Sequence, residues 1–480
     1  MCGIVTIIGS NSNSIAITSL ARIGHRGKDD SRILSFGNKS FGFNRLAIND
    51  YSPTGMQPFE YQNWVGVFNG EIYNAEQLID KYDLHPYSGS DTEIILPLFA
   101  KIGSSIIDEL DGFYAGLIYD KQKDHYYFIR DYIGKKPLFF GSTKDYSFVT
   151  SELKAIDAIE KFIAIPKGFS ELVNGEIHLI GSHVISSVSE ESIEILIQKA
   201  TLKRIPRKQE KFGVFISGGL DSSIIAYIVA AHSKNVIYYS LANPDSVDYN
   251  YVVELVKHLG IDQQTKFVPL PDANEIGSLV EKVVYSTESC NPSIISNGLA
   301  TYILSQKAHQ DGIKVILSGE GADELFCGYP ISKDIIFCFS KRPELIENME
   351  FTELRRLDLS SMANNIEVRC PFLDRSVFNF SNSLLQTDLF ELRQGKKPLR
   401  NAFENCLPPS IISREKTSFD VGSGIRKLVV EYLKQFGLSE RDSLKRILLK
   451  VYNAQIMEHP YFHSYPTFDQ IIDNRGVLHK

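Results

Sequence analysis

The chain has 480 residues, 43% hydrophobic and 23% charged, with 19 prolines, a composition that excludes collagen-like, low-complexity and disordered classes. Its length exceeds the roughly 250–300 residues at which one hydrophobic core stops growing, so two domains are expected. A formal net charge of −7 supplies no field that would gather nucleic acid or an anionic membrane, and small molecules are the expected partners.

Residues 1–185 read as short apolar runs separated by turn residues, at 4–8, 41–48, 65–68, 113–119, 126–130, 138–141 and 147–150. This spacing predicts a largely antiparallel β domain with few helices. The strongest helical pattern there covers 91–102, with Asp91 and Thr92 as capping candidates before Ile94, Ile95, Leu98 and Phe99. A Ser-rich, aperiodic stretch at 182–189 predicts the linker. From about residue 190 buried-strand runs alternate with helical patterns, at 212–216, 222–232, 236–241 and 252–259, which predicts βαβ units and a parallel sheet. The last hundred or so residues are helical in pattern, interrupted by Pro408-Pro409. No run approaches the roughly 18 uncharged apolar residues of a membrane span, and the first residues lack the basic-then-apolar order of a secretory signal. A cytoplasmic location is therefore expected. Six cysteines, Cys2, Cys290, Cys327, Cys338, Cys370 and Cys406, show no CxxC pairing, which argues against a zinc site and a disulfide framework. Five read as inert thiols, and Cys2 stands apart.

The chain opens Met1-Cys2-Gly3-Ile4. Removal of Met1 would leave one residue holding both a thiol and an α-amino group, and such an amine titrates near about 7.7–8.0, neutral often enough to take the thiol proton. Arg45, then Asn69-Gly70-Glu71, then Ser90-Asp91-Thr92 follow in order, together with His25-Arg26-Gly27 and a segment running from Asp131 to Leu138. This set resembles the class II glutamine amidotransferases. The resemblance implies that Cys2 attacks the side-chain amide of glutamine, releasing ammonia, and that water then frees the thiol. Arg45 would grip the substrate carboxylate bidentately, Asn69 and the Gly70 N–H would donate to the oxyanion, and Glu71 and Asp91 would hold the ammonium.

The run 212–216 leads directly into Ser217-Gly218-Gly219-Leu220-Asp221-Ser222-Ser223 ahead of a helical pattern. Backbone N–H groups and the positive end of a helix favour an anion in such a loop. There is no GxxxxGK[ST], so a P-loop NTPase is excluded. A second apolar run at 315–317 enters Ser318-Gly319-Glu320-Gly321-Ala322-Asp323-Glu324, a turn of the kind that lines the crevice of an open parallel sheet. The seven-residue string resembles the ATP pyrophosphatase loop, and with the segments around 367–374 and 413–419 the chain is identified as resembling the glutamine-hydrolysing asparagine synthetase family from Cys2 to about Phe419.

That resemblance implies an Ntn-type αββα glutaminase sandwich over 1–185 and a doubly wound parallel α/β ATP pyrophosphatase domain with a helical C-terminal region over 190–480. It implies ATP as substrate with Mg²⁺, the nucleotide being held by Ser217, Gly218, Gly219, Asp221, Ser222, Ser223, Leu241, Ser318 and Gly319, and the metal by Asp221 and Asp323. Glu320 would handle the proton of incoming ammonia and Lys416 would neutralise charge at the α-phosphate; for Glu324 the alternative to a site role is a cap on the following helix. Aspartate is the leading acceptor, an internal path would carry the ammonia, and a homodimer is the analogy the family offers. Departures exist: Ser296 falls where relatives carry an Arg of the amino-acid pocket, and Cys327 replaces a glycine. A different carboxylic or amino acid is therefore the alternative acceptor.

Overall fold

The structure, a computed structural model, describes residues 2–183, 189–206, 210–329, 334–392, 394–450, 452 and 459–463. Most of the expected linker at 182–189, and the end of the expected second domain beyond 463, lie outside these residues. The chain divides into two compact units near residue 185.

The first unit contains two six-stranded sheets. One holds, edge to edge, Lys161–Ala164, Phe139–Ser142, Tyr146–Thr150, Gly3–Gly9, Lys39–Arg45 and Asp30–Phe36. The other holds Glu176–Gly181, Gly168–Val173, His125–Arg130, Gly112–Asp120, Trp64–Ile72 and Phe59–Tyr61. Ile4, Phe41, Phe43, Val65, Val67, Leu117, Phe128 and Val149 fill the space between the sheets. The helix Ser12–Arg22 covers the outer face of the first sheet, and Ala75–Tyr82 and Ile95–Ile102 cover the second through Leu78, Ile95 and Leu98 against Phe68, Ile118 and Phe169. The layers are therefore αββα. Each fully buried Phe contributes roughly 1.5–3 kcal/mol, so this double core dominates the unit.

Two expectations change here, and one helix appears that the sequence pattern does not indicate. The pattern at 91–102 forms a 3₁₀ turn, Asp91–Ile94, followed by the α-helix Ile95–Ile102. Neither Asp91 nor Thr92 caps it: Asp91 Oδ2 accepts the Ile72 N–H at 2.6 Å, and Thr92 faces the Gln57 amide. The helix Ser12–Arg22 has its buried Ser12, Ala16, Ser19 and Leu20 at three- and four-residue spacing, a stripe too small and polar to register as amphipathic.

The second unit is built on a five-stranded, all-parallel sheet in the spatial order Thr265–Val268, Val236–Leu241, Phe212–Phe215, Val315–Leu317, Glu367–Arg369. In chain order that is 3-2-1-4-5. The chain reverses direction across the sheet between Phe212–Phe215 and Val315–Leu317, which opens a crevice beyond their carboxyl ends. Both loops singled out by sequence leave from these two strands. The long helix Pro292–Gln310 starts with Asn291 Oδ1 accepting from the Ser293 N–H at 3.0 Å and with proline at its first position, both favourable there. Helices continue to the end of the described chain. Pro409 opens the short helix Pro409–Ile412, so the proline pair both stops and restarts helical structure.

Candidate active sites

In the first unit the two-residue period of Trp64–Ile72 carries Asn69 to the same face as Val65 and Val67, between the sheets, where Cys2 also lies. Gln57 grips this strand bidentately, accepting from the Phe68 N–H at 2.7 Å and donating to the Phe68 carbonyl at 3.0 Å. Cys2 N donates to Asn69 Oδ1 at 2.8 Å. Asn69 is fully buried, and its Nδ2 has no hydrogen-bond partner. A buried donor left unpaired costs about 1–3 kcal/mol, so this amide is held ready for an acceptor. Gly70 is pressed against the neighbouring strand: a Cβ there would sit 2.3 Å from the Phe113 carbonyl oxygen.

The acids come together. Asn49 Nδ2 donates to Glu71 Oε1 at 2.8 Å and to Asp91 Oδ1 at 3.1 Å, so one amide aligns both carboxylates. Arg45 lies elsewhere in its bonding, with NH1 donating to the Ser52 carbonyl at 2.6 Å and NH2 to the Asp50 carbonyl at 2.5 Å. Its guanidinium thus orders the loop after its own strand. Asp50 is pushed up by burial but held below its ordinary value by hydrogen bonds from Ser52 and by the charge of Arg45. Behind Cys2, Arg26 Nε donates to the Cys2 carbonyl at 3.0 Å, and Arg26 NH1 meets Glu152 Oε1 at 2.6 Å.

In the second unit Ser217-Gly218-Gly219 joins Phe212–Phe215 to the helix Leu220–His232. Gly218 has φ +66° and a Cβ there would meet Tyr251 Cβ at 2.5 Å, so only glycine fits. Ser222 Oγ accepts from the Ser217 N–H at 3.2 Å, and Ser223 Oγ donates to the Gly219 carbonyl at 2.8 Å. The second loop packs directly on the first: a Cβ at Gly319 would lie 2.8 Å from the Ser222 nitrogen. Ser318 N–H donates to the Arg369 carbonyl at 3.0 Å, and Ser318 Oγ accepts from the Glu320 N–H at 3.3 Å. Leu241 ends the adjacent strand and is buried.

Asp221 and Asp323 are bridged across these loops by Lys396, and Lys416 joins Asp323. Lys396 Nζ lies 2.6 Å from Asp221 Oδ2 and 2.5 Å from Asp323 Oδ1, and Lys416 Nζ lies 2.5 Å from Asp323 Oδ2. Burial raises both acids, but Lys396 and Lys416 override it at Asp323 and hold that carboxyl below its ordinary value. At Asp221 burial prevails over Lys396, and the nearby Asp323 adds to the rise. Lys416, although burial opposes its charge, is raised by Asp323 and then Asp221. Asp221 Oδ1 is buried with no hydrogen-bond partner.

Beside this pair Glu320 Oε1 accepts from Arg356 NH2 at 2.6 Å. Burial raises Glu320 against the attraction of Arg356, with Glu353 adding repulsion. Glu324 does not cap a following helix. It lies within the short helix Ala322–Leu325, buried and bonded to the Tyr329 hydroxyl, and burial followed by Glu353 and Asp323 keeps its carboxyl well above the ordinary value.

The residues that sequence reading did not single out are those that hold the others: Asn49, Gln57, Glu152, Lys396, Arg356 and Arg414. Arg414 donates to the Ser217 carbonyl at 3.0 Å and pairs with Asp248 at 2.5 Å while stacked on Tyr251. Lys396, in Gly395-Lys396-Lys397-Pro398, was detectable in principle, since a Gly-flanked lysine before a proline-started helix marks a tight, directed turn. Ser296 is fully buried on Pro292–Gln310 and its hydroxyl has no hydrogen-bond partner. Cys327 adopts φ +54°, in the left-handed backbone region that favours glycine. All six cysteines are free thiols.

An αββα sandwich presenting Cys2 beside an amide whose N–H donor is unpaired, together with a doubly wound sheet carrying paired carboxylates and lysines at its crevice, defines a glutamine amidotransferase unit followed by a synthetase unit. The comparisons with known proteins agree: the family described as a glutamine amidotransferase domain matches residues 1–189, and the asparagine synthase family matches 192–347 and 344–460. A Methanocaldococcus jannaschii protein provisionally named asparagine synthetase (glutamine-hydrolyzing) 1 is 30% identical over 93% of this chain and 99% of its own. Asparagine synthetase (glutamine-hydrolyzing) 3 of Arabidopsis thaliana is 30% identical over 88% of this chain and 79% of its own. Among solved structures, the glutamine phosphoribosylpyrophosphate amidotransferase of B. subtilis aligns with 49% of this chain and 65% of its own, at 19% identity and a TM-score of 0.34. The chain belongs to the glutamine-hydrolysing asparagine synthetase family of carbon–nitrogen ligases.

Among the described residues no helix is long and apolar enough to cross a membrane.

Proposed function

We propose that this enzyme forms an amide on a carboxylic acid, aspartate being the leading acceptor, from ATP and the ammonia of glutamine. The observation that carries the first half is the division of labour on Asn69: Oδ1 anchors Cys2 N, and the buried Nδ2 keeps a free donor. Once Met1 is removed, the α-amine of Cys2 takes the thiol proton and the thiolate attacks the glutamine amide. Asn69 Nδ2 and the Gly70 N–H receive the oxyanion. Glu71 and Asp91, aligned by Asn49, take the substrate ammonium, and Arg45 the carboxylate if its loop carbonyls release part of the guanidinium. The intermediate collapses as the α-ammonium returns the proton to the amide nitrogen, which leaves as ammonia, and water then hydrolyses the thioester to glutamate and restores the thiol.

In the second unit the Ser217–Ser223 loop and Ser318-Gly319 would surround the phosphates of ATP. The donor set fits magnesium: Asp221 and Asp323 present hard oxygens, and the unpaired Asp221 Oδ1 lacks the partner that an ion would supply. Among the described residues no group of three or more His, Cys, Asp or Glu could hold a metal ion, so phosphate oxygens would complete the shell. Bound there, the ion would neutralise charge on the leaving diphosphate. Lys416 and Lys396 would neutralise the negative charge that gathers as the acceptor carboxylate attacks the α-phosphate. Glu320, raised by burial and steadied by Arg356, takes a proton from the attacking ammonia. AMP leaves.

One observation favours a different acceptor by the same chemistry. Ser296, neutral and enclosed, stands where the family resemblance implies a pocket arginine, so no cation at that position would meet the α-carboxylate of aspartate. The test is a pair of variants in the full chain. Cys2→Ala is expected to abolish glutamine-dependent product while ammonium salts still support it, and Asp221→Ala to stop AMP formation while glutaminase persists. Loss of both activities in either variant contradicts independent sites. A screen of carboxylates for glutamine-dependent AMP release decides the acceptor, and clearly faster turnover with another acid displaces aspartate.

A further inference from the structure

The start of a chain ordinarily frays. A nucleophile on its second residue cannot, because a misplacement of about 1 Å can cost about 100-fold in rate. Here four backbone groups at the start are fixed. Cys2 N donates to Asn69 Oδ1 at 2.8 Å and the Cys2 carbonyl accepts from Arg26 Nε at 3.0 Å. The Ile4 N–H donates to Ser151 Oγ, and the Ile4 carbonyl accepts from the Ser151 N–H, both at 3.0 Å.

Behind these contacts lies a buried charge cluster. Arg26 is fully enclosed and permanently charged, so it needs a counter-charge that is itself held in place. Glu152, also fully enclosed, supplies it: Oε1 lies 2.6 Å from Arg26 NH1, while Oε2 lies 2.9 Å from His25 Nε2 and 2.5 Å from Lys154 Nζ. Its backbone is pinned as well, the carbonyl accepting from Thr150 Oγ1 at 2.9 Å and the N–H donating to the same oxygen at 3.3 Å. Burial alone would neutralise this acid, but Lys154, then His25 and Arg26, hold its carboxyl well below the ordinary value. The anion persists, and the guanidinium stays seated on it.

We propose that Glu152 is a positioning residue for the Cys2 nucleophile: its carboxylate seats Arg26, and Arg26 fixes the Cys2 carbonyl so that thiol and α-amine stay aligned on Asn69. The inference rests on the reading of Cys2 as the glutaminase nucleophile. Such a role acts on turnover rather than on capture of glutamine, because Arg45, Glu71 and Asp91 belong to other segments. A merely structural role would lower every activity together.

The test uses the purified full chain. Glu152→Gln is expected to lower the glutaminase kcat by about 10- to 100-fold, with glutamine KM within about threefold and ammonium-driven AMP formation unchanged. Alkylation of Cys2 by iodoacetamide, followed by peptide mass, should slow in step with kcat, and Glu152→Asp, which keeps the charge, should recover part of the loss. If Glu152→Gln does not fold, Arg26→Lys keeps the cation but removes the fork that joins Glu152 to the Cys2 carbonyl, and the same split is expected. A wild-type kcat in the folded variant, or an equal fall in ammonium-driven activity, overturns the proposal. Should Cys2→Ala retain glutaminase activity, the underlying reading fails instead; an inactive Cys2→Ala beside a fully active Glu152→Gln sinks this inference alone.

Discussion

Replacing Asn69 by aspartate separates the two tasks of that side chain. The variant keeps an oxygen to accept the Cys2 N–H, now 2.8 Å away, and exchanges the unpaired Nδ2 for a second oxygen of nearly the same size. What is lost is one donor to the tetrahedral intermediate. Loss of one such donor typically costs about 2.7–4 kcal/mol of transition-state stabilisation, or about 10²–10³ in kcat. Because Nδ2 has no partner in the resting enzyme, the loss should concentrate in turnover. Glutamate release at saturating glutamine reads it directly, with glutamine KM and ammonium-driven AMP formation as controls for binding and for the second unit. A glutaminase kcat within about fivefold of wild type would refute the reasoning, since no donor of the strength described could then have been removed.

Lys396→Met leaves Asp221 and Asp323 facing each other with Lys416 alone, and breaking a buried ion pair costs about 3–5 kcal/mol. AMP formation should be lost, glutaminase retained, and the unfolding midpoint lowered, with Mg²⁺ raising it more in the variant than in wild type; an unchanged midpoint contradicts the placement. Glu324 has a folded pKa above its unfolded value, so the native state binds more protons and stability declines as pH rises from about 4.5 toward the folded value. Glu324→Gln removes that decline, and its denaturation midpoint should exceed wild type at pH about 8 while nearly matching it near pH 4.5; equal midpoints at both values contradict a buried neutral acid. At Asp374 the sign is opposite: Arg204 at 2.7 Å and Lys203 at 2.5 Å overcome burial and depress its carboxyl. Its contribution is complete above the ordinary carboxylate value and disappears on acidification through the folded one, so Asp374→Asn should be less stable than wild type at neutral pH, with the gap closing in strong acid.

Much of this architecture was legible in the sequence because it follows from period and punctuation. The strand Val236–Leu241, apolar but for Ser240, has the predicted limits, and the glycine loop after Phe212–Phe215 falls where a strand gives way to a helical period. The candidate residues were legible by type, as cysteine, amide, carboxylate and lysine in order along the chain. What could not be read is the bonding among distant segments. Asn49 acts on Glu71 and Asp91 from 22 and 42 residues away, and Lys396 reaches Asp221 from 175 away. No local pattern encodes such pairings, since only the assembled fold brings them together. Asp91 shows the limit from the other side: as a residue at a helix start it looks like a cap, but the strand beside it offers the Ile72 N–H and wins. Arg45 likewise has the fork for a carboxylate and spends it on its own loop.

The fate of the nucleotide tests the central claim most directly. With glutamine, magnesium, ATP and an accepted acid, the nucleotide product should be AMP, accompanied by one pyrophosphate for each amide formed. Appearance of ADP and orthophosphate instead would show that the phosphates are cut at a different bond, and the roles given to the Ser217–Ser223 loop, Asp221, Asp323 and Lys416 would fall together.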